Sequence, residues 1–451
     1  MNRVRSLAFA SAVALLVAAC GGSTASSGAP DGALKEIGKG EGALNLIIWE
    51  GYAERGANDP VYDWVTPFEK ETGCIVKTTS MTDSPNGVQL LQSGQYDGGS
   101  FSGDASVRLM VGGDVAPINV DLLSNYANVF AGLKNKPHNS LNGVPYGVPH
   151  GRGANVLMWN TDVVTSAPTS WDPVWEGGAA YKGKISVYDS SIYIADAALH
   201  LMATQPDLGI KNPYQLNETQ FAAAIALLEK QRDNGAVYWG TANDQIQGFA
   251  SGDLVVGTTW QYQANMLAGE SVKVDTTLPA EGSTGWSDTW MMATKAAHPN
   301  CMYLWMNHMM SAEADALATI WFGEAPTSQA ACDYAEKVSP GHCATFHATD
   351  EEYFKKVWYW ETPREDCGDS DAATTGKTQD EWVAAGTARR GNEATHRVPG
   401  LEPEGAHRRL VDVGVEDVLP GHGVLGPLPA DGDRHAVVVP GRGIRRDDDL
   451  L

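Results

Sequence analysis

Short apolar runs alternate with longer segments of helical periodicity along most of this chain. Residues 43–49 are apolar except for Asn45, a pattern that predicts a buried strand. Val65 and Phe68 lie on one face of the helix that follows, and residues 74–79 are predicted to form a second strand. Strand, helix and strand in this order predict a parallel pair of strands joined by a right-handed crossover.

The clearest helix is predicted over residues 217–235. Asn217 and Gln220 have the spacing of a capping box, and Gly235 is a candidate C-cap. A further buried strand is predicted over residues 254–260. Methionines recur at helical spacing within residues 299–322, which favours core packing over a metal site. This alternation of strands and helices is typical of an α/β protein.

Small residues fill positions 98–104, which we predict to be a loop that opens a helix. Free backbone N–H groups at a helix start can hold the polar atoms of a ligand. The alternative is that Ser102 or Asp104 only caps the helix.

Two indoles bracket one carboxylate within residues 285–292, where Trp286 and Trp290 flank Asp288. Aspartate is rarely buried without a partner. An organic cation would provide one, because an ammonium group can pair with the carboxylate and lie over an aromatic face. The alternative is that Asp288 turns or caps a strand while both tryptophans anchor the core.

Charge and cysteine usage narrow the function further. The 451 residues carry a formal net charge of −23, which makes nucleic acid an unexpected partner and suits a cationic ligand. Six cysteines are present, and neither C-x-x-C nor a zinc-like spacing occurs, so no metal and no cofactor is expected. Cys332 and Cys343 are close enough in sequence to close a small loop, but the pairing is left open.

The N-terminal residues have the features of an export signal. Arg3 and Arg5 precede a short apolar segment, which ends in small residues before Cys20. This resembles a bacterial lipobox and implies a signal peptide over residues 1–19, with lipidation of Cys20. A flexible, Gly/Ser/Ala-rich tether is predicted over residues 20–42.

At the other end, residues 387–451 contain no Lys, Phe, Tyr, Trp, Met, Cys or Ser. Such a composition provides too few large apolar groups for a core, so this tail is predicted to be disordered.

The chain resembles the extracellular solute-binding proteins of ABC importers, in particular the spermidine/putrescine-binding branch. The motifs that carry the resemblance occur in family order over roughly residues 44–385. They are the lipobox at Cys20, the segments 45–52, 68–73, 96–97, 144–149, 170–175 and 181–185, and the Trp-x-Asp of Trp286 and Asp288.

This resemblance implies an α/β fold of two lobes that are joined by hinge strands and close over a ligand, as in periplasmic binding proteins. We expect residues 43–149 and 288–330 in lobe 1, and residues 150–287 and 331–386 in lobe 2.

The resemblance also implies a binding site. Asp288 would pair with an amine, Trp286 and Trp260 would be aromatic walls, and Trp49 and Tyr52 would form the wall after the first strand. Ser102 stands where the family has a serine that contacts ligand.

Several positions depart from the family pattern. Glu50 lies one place before a family carboxylate, and Asp189 one place before another expected acid. Tyr193 stands at the position of a glutamate, Glu324 replaces an aromatic residue, and Asp104 replaces a loop tyrosine. The acids are therefore redistributed around the expected site. The pole opposite Asp288 stays open among Glu50, Asp104, Asp189 and Glu324.

The function predicted from the sequence is capture of a polyamine and its delivery to an ABC permease, without bond chemistry. The protein would be extracytoplasmic and anchored to the outer face of the cell membrane by its lipid. The alternatives are a binding protein for another small ligand, such as a sugar or an amino-acid-like cation, and an extracellular hydrolase. Neither G-x-S-x-G nor H-E-x-x-H is present to support a hydrolase.

Overall fold

The computed structural model describes residues 29–177, 180–364 and 376–390, with side chains up to residue 386. The predicted signal peptide, Cys20 and Cys367 lie outside these residues, and so does the predicted tail apart from its first four positions. Over the described residues, no helix combines the length and the apolar character needed to cross a membrane.

The strands are, in chain order, β1 (Ala43–Ile48), β2 (Ile75–Ser80), β3 (Gly98–Phe101), β4 (Ser140–Leu141), β5 (Val144–Pro145), β6 (Gly147–Pro149), β7 (Gly153–Ala154), β8 (Val156–Asn160), β9 (Ile185–Tyr188), β10 (Val237–Trp239), β11 (Val256–Thr259), β12 (Val274–Thr277), β13 (Ser283–Trp286), β14 (Thr289–Met292) and β15 (Val357–Tyr359).

The helices are α1 (Val65–Thr72), α2 (Ser84–Gln92), α3 (Gly103–Gly112), α4 (Asp172–Trp175), α5 (Ile194–Thr204), α6 (Glu218–Asp233), α7 (Ala242–Ser251), α8 (Gln261–Gly269), α9 (Pro299–Met309), α10 (Ala312–Phe322), α11 (Gln329–Val338), α12 (His342–Thr345), α13 (Glu351–Phe354) and α14 (Gln379–Arg390).

The first large sheet has the strand order β2-β1-β3-β14-β6. Strands β2 and β3 pair with β1 in parallel, whereas β14 runs antiparallel between β3 and β6. The parallel pair β1 and β2 is joined through α1, as the sequence predicts.

The predicted loop over residues 98–104 is wrong, because residues 98–101 form the central strand β3. Gly98 and Gly99 leave room for both neighbouring strands. A Cβ on Gly98 would lie 2.2 Å from the Met291 carbonyl oxygen, and one on Gly99 would lie 2.5 Å from that of Ile47. Close backbone approach, rather than turn formation, therefore accounts for these glycines.

The second large sheet has the order β10-β9-β11-β8-β12, and a three-stranded sheet has the order β15-β13-β7. Each large sheet packs against its own helices, and separate apolar clusters lie around Trp305 and around Trp175. The mixed sheets with covering helices confirm the α/β class. The boundaries of the two lobes stay a prediction.

Two short links connect the first large sheet to the three-stranded sheet. Residues 150–152 join β6 to β7, and residues 287–288 join β13 to β14. The links lie side by side, because the His150 N–H donates to the Asp288 carbonyl oxygen (2.8 Å) and Ser287 Oγ donates to the Gly151 carbonyl oxygen (2.8 Å).

Several local predictions are confirmed. Asn217 and Gln220 form the capping box of α6. The methionines of α9, Met302, Met306 and Met309, are at most 1% exposed and lie in the core. One local prediction is wrong: residues 29–42, the described part of the predicted flexible tether, are packed on the body, where the Glu41 carboxylate accepts backbone hydrogen bonds at the start of α9.

Two disulfides are formed within the described residues. Cys74–Cys301 joins the start of β2 to α9, and Cys332–Cys343 closes the small loop that the sequence suggested.

Candidate functional site

A cleft of about 430 Å³ opens where strands of both large sheets end. The first sheet contributes Trp49 after β1 and Ser102 after β3. The second sheet contributes Tyr188, Trp239 and Trp260, which end or follow β9, β10 and β11. Carboxyl ends of strands are where ligands bind in open α/β sheets.

Asp288 lies in the two-residue link between β13 and β14, and its side chain is 3% exposed. Tyr52 donates its hydroxyl to Asp288 Oδ2 (2.9 Å), and Ser102 donates its hydroxyl to Oδ1 (2.6 Å). Ser102 is the N-cap residue of α3, but its side chain makes no capping hydrogen bond. Its hydroxyl orients the carboxylate instead of closing the helix.

Burial is the largest influence on the pKa values of Asp288 and Asp104. Loss of water raises the pKa of Asp288 to about 6, against the opposing effect of the Ser102 and Tyr52 hydrogen bonds. Burial likewise raises the pKa of Asp104 to about 6, although Ser84 donates a hydrogen bond to Asp104 Oδ1 (2.9 Å). A cation between these carboxylates would restore their ionised forms.

Five aromatic rings form a closed circuit beside Asp288. Ring centroids are separated by 6.0 Å for Tyr188–Trp239, 5.1 Å for Trp239–Trp260 and 5.5 Å for Trp260–Trp286. Trp360 closes the circuit at 6.2 Å from both Trp286 and Tyr188. All five line the cleft. Such a wall can contact an aliphatic chain and can attract a cation through ring faces.

The circuit is held from behind by side-chain hydrogen bonds. Trp260 Nε1 donates to Asn155 Oδ1 (3.0 Å), and the Tyr188 hydroxyl donates to Asp196 Oδ2 (2.6 Å). Trp286 Nε1 donates to Glu324 Oε2 (3.2 Å). The rings are therefore fixed before a ligand arrives, which lowers the entropic cost of binding.

Glu324 is fully buried behind Trp286 and does not line the cleft. Burial and the nearby Asp288 charge raise the pKa of Glu324 well above its ordinary value, which favours the protonated carboxyl. His150 Nε2 lies 3.6 Å from Glu324 Oε1. The imidazole is neutral, because burial lowers its pKa to about 3. Glu324 supports Trp286 without providing a second negative pole.

The cleft brings together seven of the ten side chains expected from the sequence. These are Trp49, Tyr52, Ser102, Asp104, Trp260, Trp286 and Asp288.

Three expected residues lie elsewhere. Glu50 is exposed and accepts a hydrogen bond from Ser80. Tyr193 is a core residue that stacks on Trp175, with ring centroids 5.5 Å apart, and bonds to Gln231. Glu324 is the third. None of the three lines the cleft, since Tyr193 and Glu324 are enclosed by packing and Glu50 faces solvent.

Sequence reasoning missed Tyr188, Trp239 and Trp360. Each ends a strand or directly follows one, as Trp49, Trp260 and Trp286 also do. An aromatic residue at the carboxyl end of a strand was therefore the shared signal. Asp83 was missed as well, and it lines the cleft together with Asp189.

Comparisons with known proteins identify a family and several relatives. The family model described as "Bacterial extracellular solute-binding protein" matches residues 63–343. A putrescine/agmatine-binding protein of Pseudomonas aeruginosa is 24% identical over 298 residues, which cover 61% of this chain and 79% of that protein. The spermidine/putrescine-binding periplasmic protein of Escherichia coli is 25% identical over 267 residues, or 55% and 71% of the two chains.

Solved structures show the same fold. A spermidine/putrescine ABC transporter substrate-binding protein from Streptococcus pneumoniae superposes with a TM-score of 0.59 at 17% identity, covering 77% of this chain and 97% of that one. A protein from A. tumefaciens in complex with glucopine gives 0.56 at 16% identity, covering 76% and 99%. Because one of these proteins is named for spermidine and putrescine and the other is solved with glucopine, the fold alone does not determine what is bound.

Proposed function

The chain belongs to the bacterial extracellular solute-binding proteins, and we propose that it captures a polyamine and delivers it to an ABC importer. The family resemblance seen in the sequence is thus confirmed. Proteins of this family bind solutes rather than convert them, so the prediction that the chain is not an enzyme is confirmed as well. The names of the relatives from Pseudomonas aeruginosa and Escherichia coli support the polyamine assignment.

The charge of the cleft is the observation that carries the proposal. Four aspartates line it, namely Asp83, Asp104, Asp189 and Asp288, whereas none of its described lining residues is Lys, Arg or His. A carboxylate ligand would enter this site without a partner, at a large desolvation cost. The carboxylate of a zwitterionic amino acid would likewise lack a positively charged partner. A ligand with only positive charges and an aliphatic stem suits both the acids and the aromatic circuit.

Asp288 is the first pole in this proposal, because it is buried and held by two hydroxyl groups. Asp189 is the second pole. It follows Tyr188 at the end of β9, on the side of the cleft formed by the second sheet, whereas Asp288 and Asp104 lie at the end of the first sheet. A diamine would place one ammonium group at each sheet. Rotation of the two lobes towards each other would then enclose the ligand.

The expected anchoring and cellular location are part of the same proposal. Lipidation of Cys20 would attach the protein to the outer face of the cell membrane. From that position the closed, loaded protein would dock on the ABC permease. The polyamine site does not depend on this anchoring, so the two parts can be tested separately.

A calorimetric titration of the purified protein tests the ligand. We expect binding of putrescine or spermidine at one site per chain, and no binding of γ-aminobutyrate, glucose or maltose under the same conditions. γ-Aminobutyrate is the critical comparison, because it has one amine and four carbons like putrescine, but its fourth carbon is a carboxylate in place of the second aminomethyl group. Equal affinity for γ-aminobutyrate and putrescine would refute an all-cationic ligand.

The second pole is tested with a monoamine. Putrescine and n-butylamine share one ammonium group and the same carbon chain. Asp189→Asn is expected to weaken the binding of putrescine at least tenfold and the binding of n-butylamine less than threefold. Equal losses for both amines would show that Asp189 does not hold the second ammonium group.

A further inference from the structure

A cluster of three potential metal ligands lies in the second lobe, outside the cleft lining. Asp172 begins α4, His200 lies on α5, and Glu281 precedes β13. One ligand atom from each side chain lies within 4.8 Å of those of the other two. The three residues are distant in sequence, so the fold brings them together.

Two of these side chains carry buried polar atoms without a hydrogen-bond partner. His200 is 2% exposed, and its Nδ1 has no partner among the described residues. Glu281 Oε2 is likewise buried without a partner. Unpaired buried polar atoms of this kind are costly and call for an explanation. A bound cation would satisfy the carboxylate, and an imidazole nitrogen is a frequent metal ligand.

The surrounding backbone fixes the position of Glu281 relative to α4. Glu281 Oε1 accepts a hydrogen bond from the Trp171 N–H (3.0 Å), and Trp171 Nε1 donates to the Gly282 carbonyl oxygen (2.8 Å). The Ala280 N–H donates to the Thr169 carbonyl oxygen (2.9 Å). These contacts hold the Glu281 carboxylate with Oε1 engaged, while Oε2 is left without a hydrogen-bond partner.

The cluster also has a route to solvent. Asp172 is exposed, whereas His200 is enclosed and stacks on Trp175 with ring centroids 5.7 Å apart. Ligand atoms around a tetrahedral zinc ion lie about 3.3 Å apart. The Asp172 side chain is exposed and is therefore free to rotate towards the two buried members.

We propose that Asp172, His200 and Glu281 bind one Zn²⁺ ion. One nitrogen and two carboxylate donors form a set that zinc accepts, and water would take the fourth position. Ca²⁺ suits the site less, because it requires six to eight oxygen ligands. The ion would fasten the segment that enters β13 to α4 and α5. That segment leads to Trp286 of the cleft.

The test uses the full chain with its disulfides intact, after iodoacetamide treatment of remaining thiols and removal of metals by EDTA and dialysis. Zn²⁺ is titrated by calorimetry at pH 7.5, with Ca²⁺ in a parallel titration. We expect one Zn²⁺ site per chain and at least tenfold weaker Ca²⁺ binding. Addition of Zn²⁺ should also raise the melting temperature, because the ion binds only the folded cluster.

Single variants assign the site. Asp172→Asn and Glu281→Gln should each weaken Zn²⁺ binding at least tenfold, and both retain the size of the original side chain. Glu176→Gln is the matched control, since Glu176 is an exposed acid on the same surface that is paired with Lys230. It should leave Zn²⁺ affinity within twofold of wild type.

Two results would overturn the proposal. One is the absence of Zn²⁺ binding to the wild-type chain at 100 µM added metal, a concentration on the order of 100 times a micromolar Kd. The other is equal affinity in wild type, D172N and E281Q, which would place the ion at a different group. His200→Ala is a less suitable variant, because loss of the buried ring can unfold the lobe.

Discussion

Replacement of Asp288 by asparagine is the sharpest test of the proposed cleft. Asparagine keeps the shape of the side chain and removes its charge. Tyr52 and Ser102 can still bond to it, because a hydroxyl group both donates and accepts. The variant should therefore fold, and any loss of ligand affinity reports the missing charge.

The expected loss can be estimated from the environment of the carboxylate. Two unit charges 4 Å apart attract by about 4 kcal/mol at an effective dielectric constant of 20. Part of this is offset because the ammonium group leaves water, and truncation of one partner of a buried charge pair costs about 2–5 kcal/mol. We expect D288N to lose about 2–3 kcal/mol, which corresponds to roughly 30- to 150-fold weaker binding.

The measurement is a calorimetric titration of spermidine and putrescine at pH 7.5, where Asp288 is mostly ionised. Glu50→Gln is the control, because it removes the same charge from an exposed residue outside the cleft lining. It should bind both polyamines within twofold of wild type. Polyamine affinity within threefold of wild type in a folded D288N would refute the role of Asp288 as the first pole.

Three further predictions concern pH, the aromatic circuit and a disulfide. Since burial raises the pKa of Asp288 from 3.8 to about 6, its carboxylate is lost as the pH falls through 6. Polyamine affinity should be roughly tenfold lower at pH 5 than at pH 7.5. Asp288 affects the stability of the ligand-free protein in the opposite direction: its stabilising contribution is present below pH 3.8 and is lost as the pH rises through about 6. Calorimetric titrations measure the affinity and thermal melts measure the stability. A polyamine affinity that does not change with pH would contradict the predicted role of the Asp288 charge. Trp260→Ala should weaken spermidine binding about 2- to 30-fold by loss of a cation–π contact, whereas Tyr193→Phe in the core should leave the affinity unchanged. Equal losses of affinity for both variants in fluorescence titrations would contradict the placement of Trp260 in the binding site. Removal of the Cys74–Cys301 disulfide by a double serine substitution should lower the free energy of unfolding in urea by about 2–5 kcal/mol, because the bridge spans a sequence separation of 227 residues; a loss below about 1 kcal/mol would contradict this estimate.

Local patterns predicted those elements that local interactions specify. The capping box at Asn217, the strand before Trp49 and the methionine-rich helix α9 follow from spacing alone. The strand β3 could not be found in this way, because glycine and serine have little strand propensity. Its conformation depends on Ile47 and Met291 of the neighbouring strands, which approach only after the sheet has formed.

The candidate site, too, contains residues that local sequence could indicate and residues that only the assembled fold brings together. The Trp-x-Asp motif indicated Asp288, since an acid among tryptophans is unusual within a few residues of sequence. The circuit through Trp239 and Trp360 requires two sheets to meet, which no local window contains. Tyr193 was expected at the site from its alignment with a family position, but its side chain packs into the core instead.

The paired links between the first large sheet and the three-stranded sheet have a mechanical consequence. Asp288 belongs to one link, and its backbone carbonyl is hydrogen-bonded to the other at His150. Segments of two and three residues span at most about 7 and 11 Å, so these links have little slack and would act as a fulcrum for rotation between the sheets. In the proposed closure, atoms at such a fulcrum would travel least, whereas Asp189 and Trp239, which lie at the ends of β9 and β10 on the outer side of the second sheet, would travel further. The Asp288 carboxylate, which meets the first ammonium group, would thus stay nearly in place during closure. The remaining contacts of the ligand would be completed by residues of the second sheet, which move further.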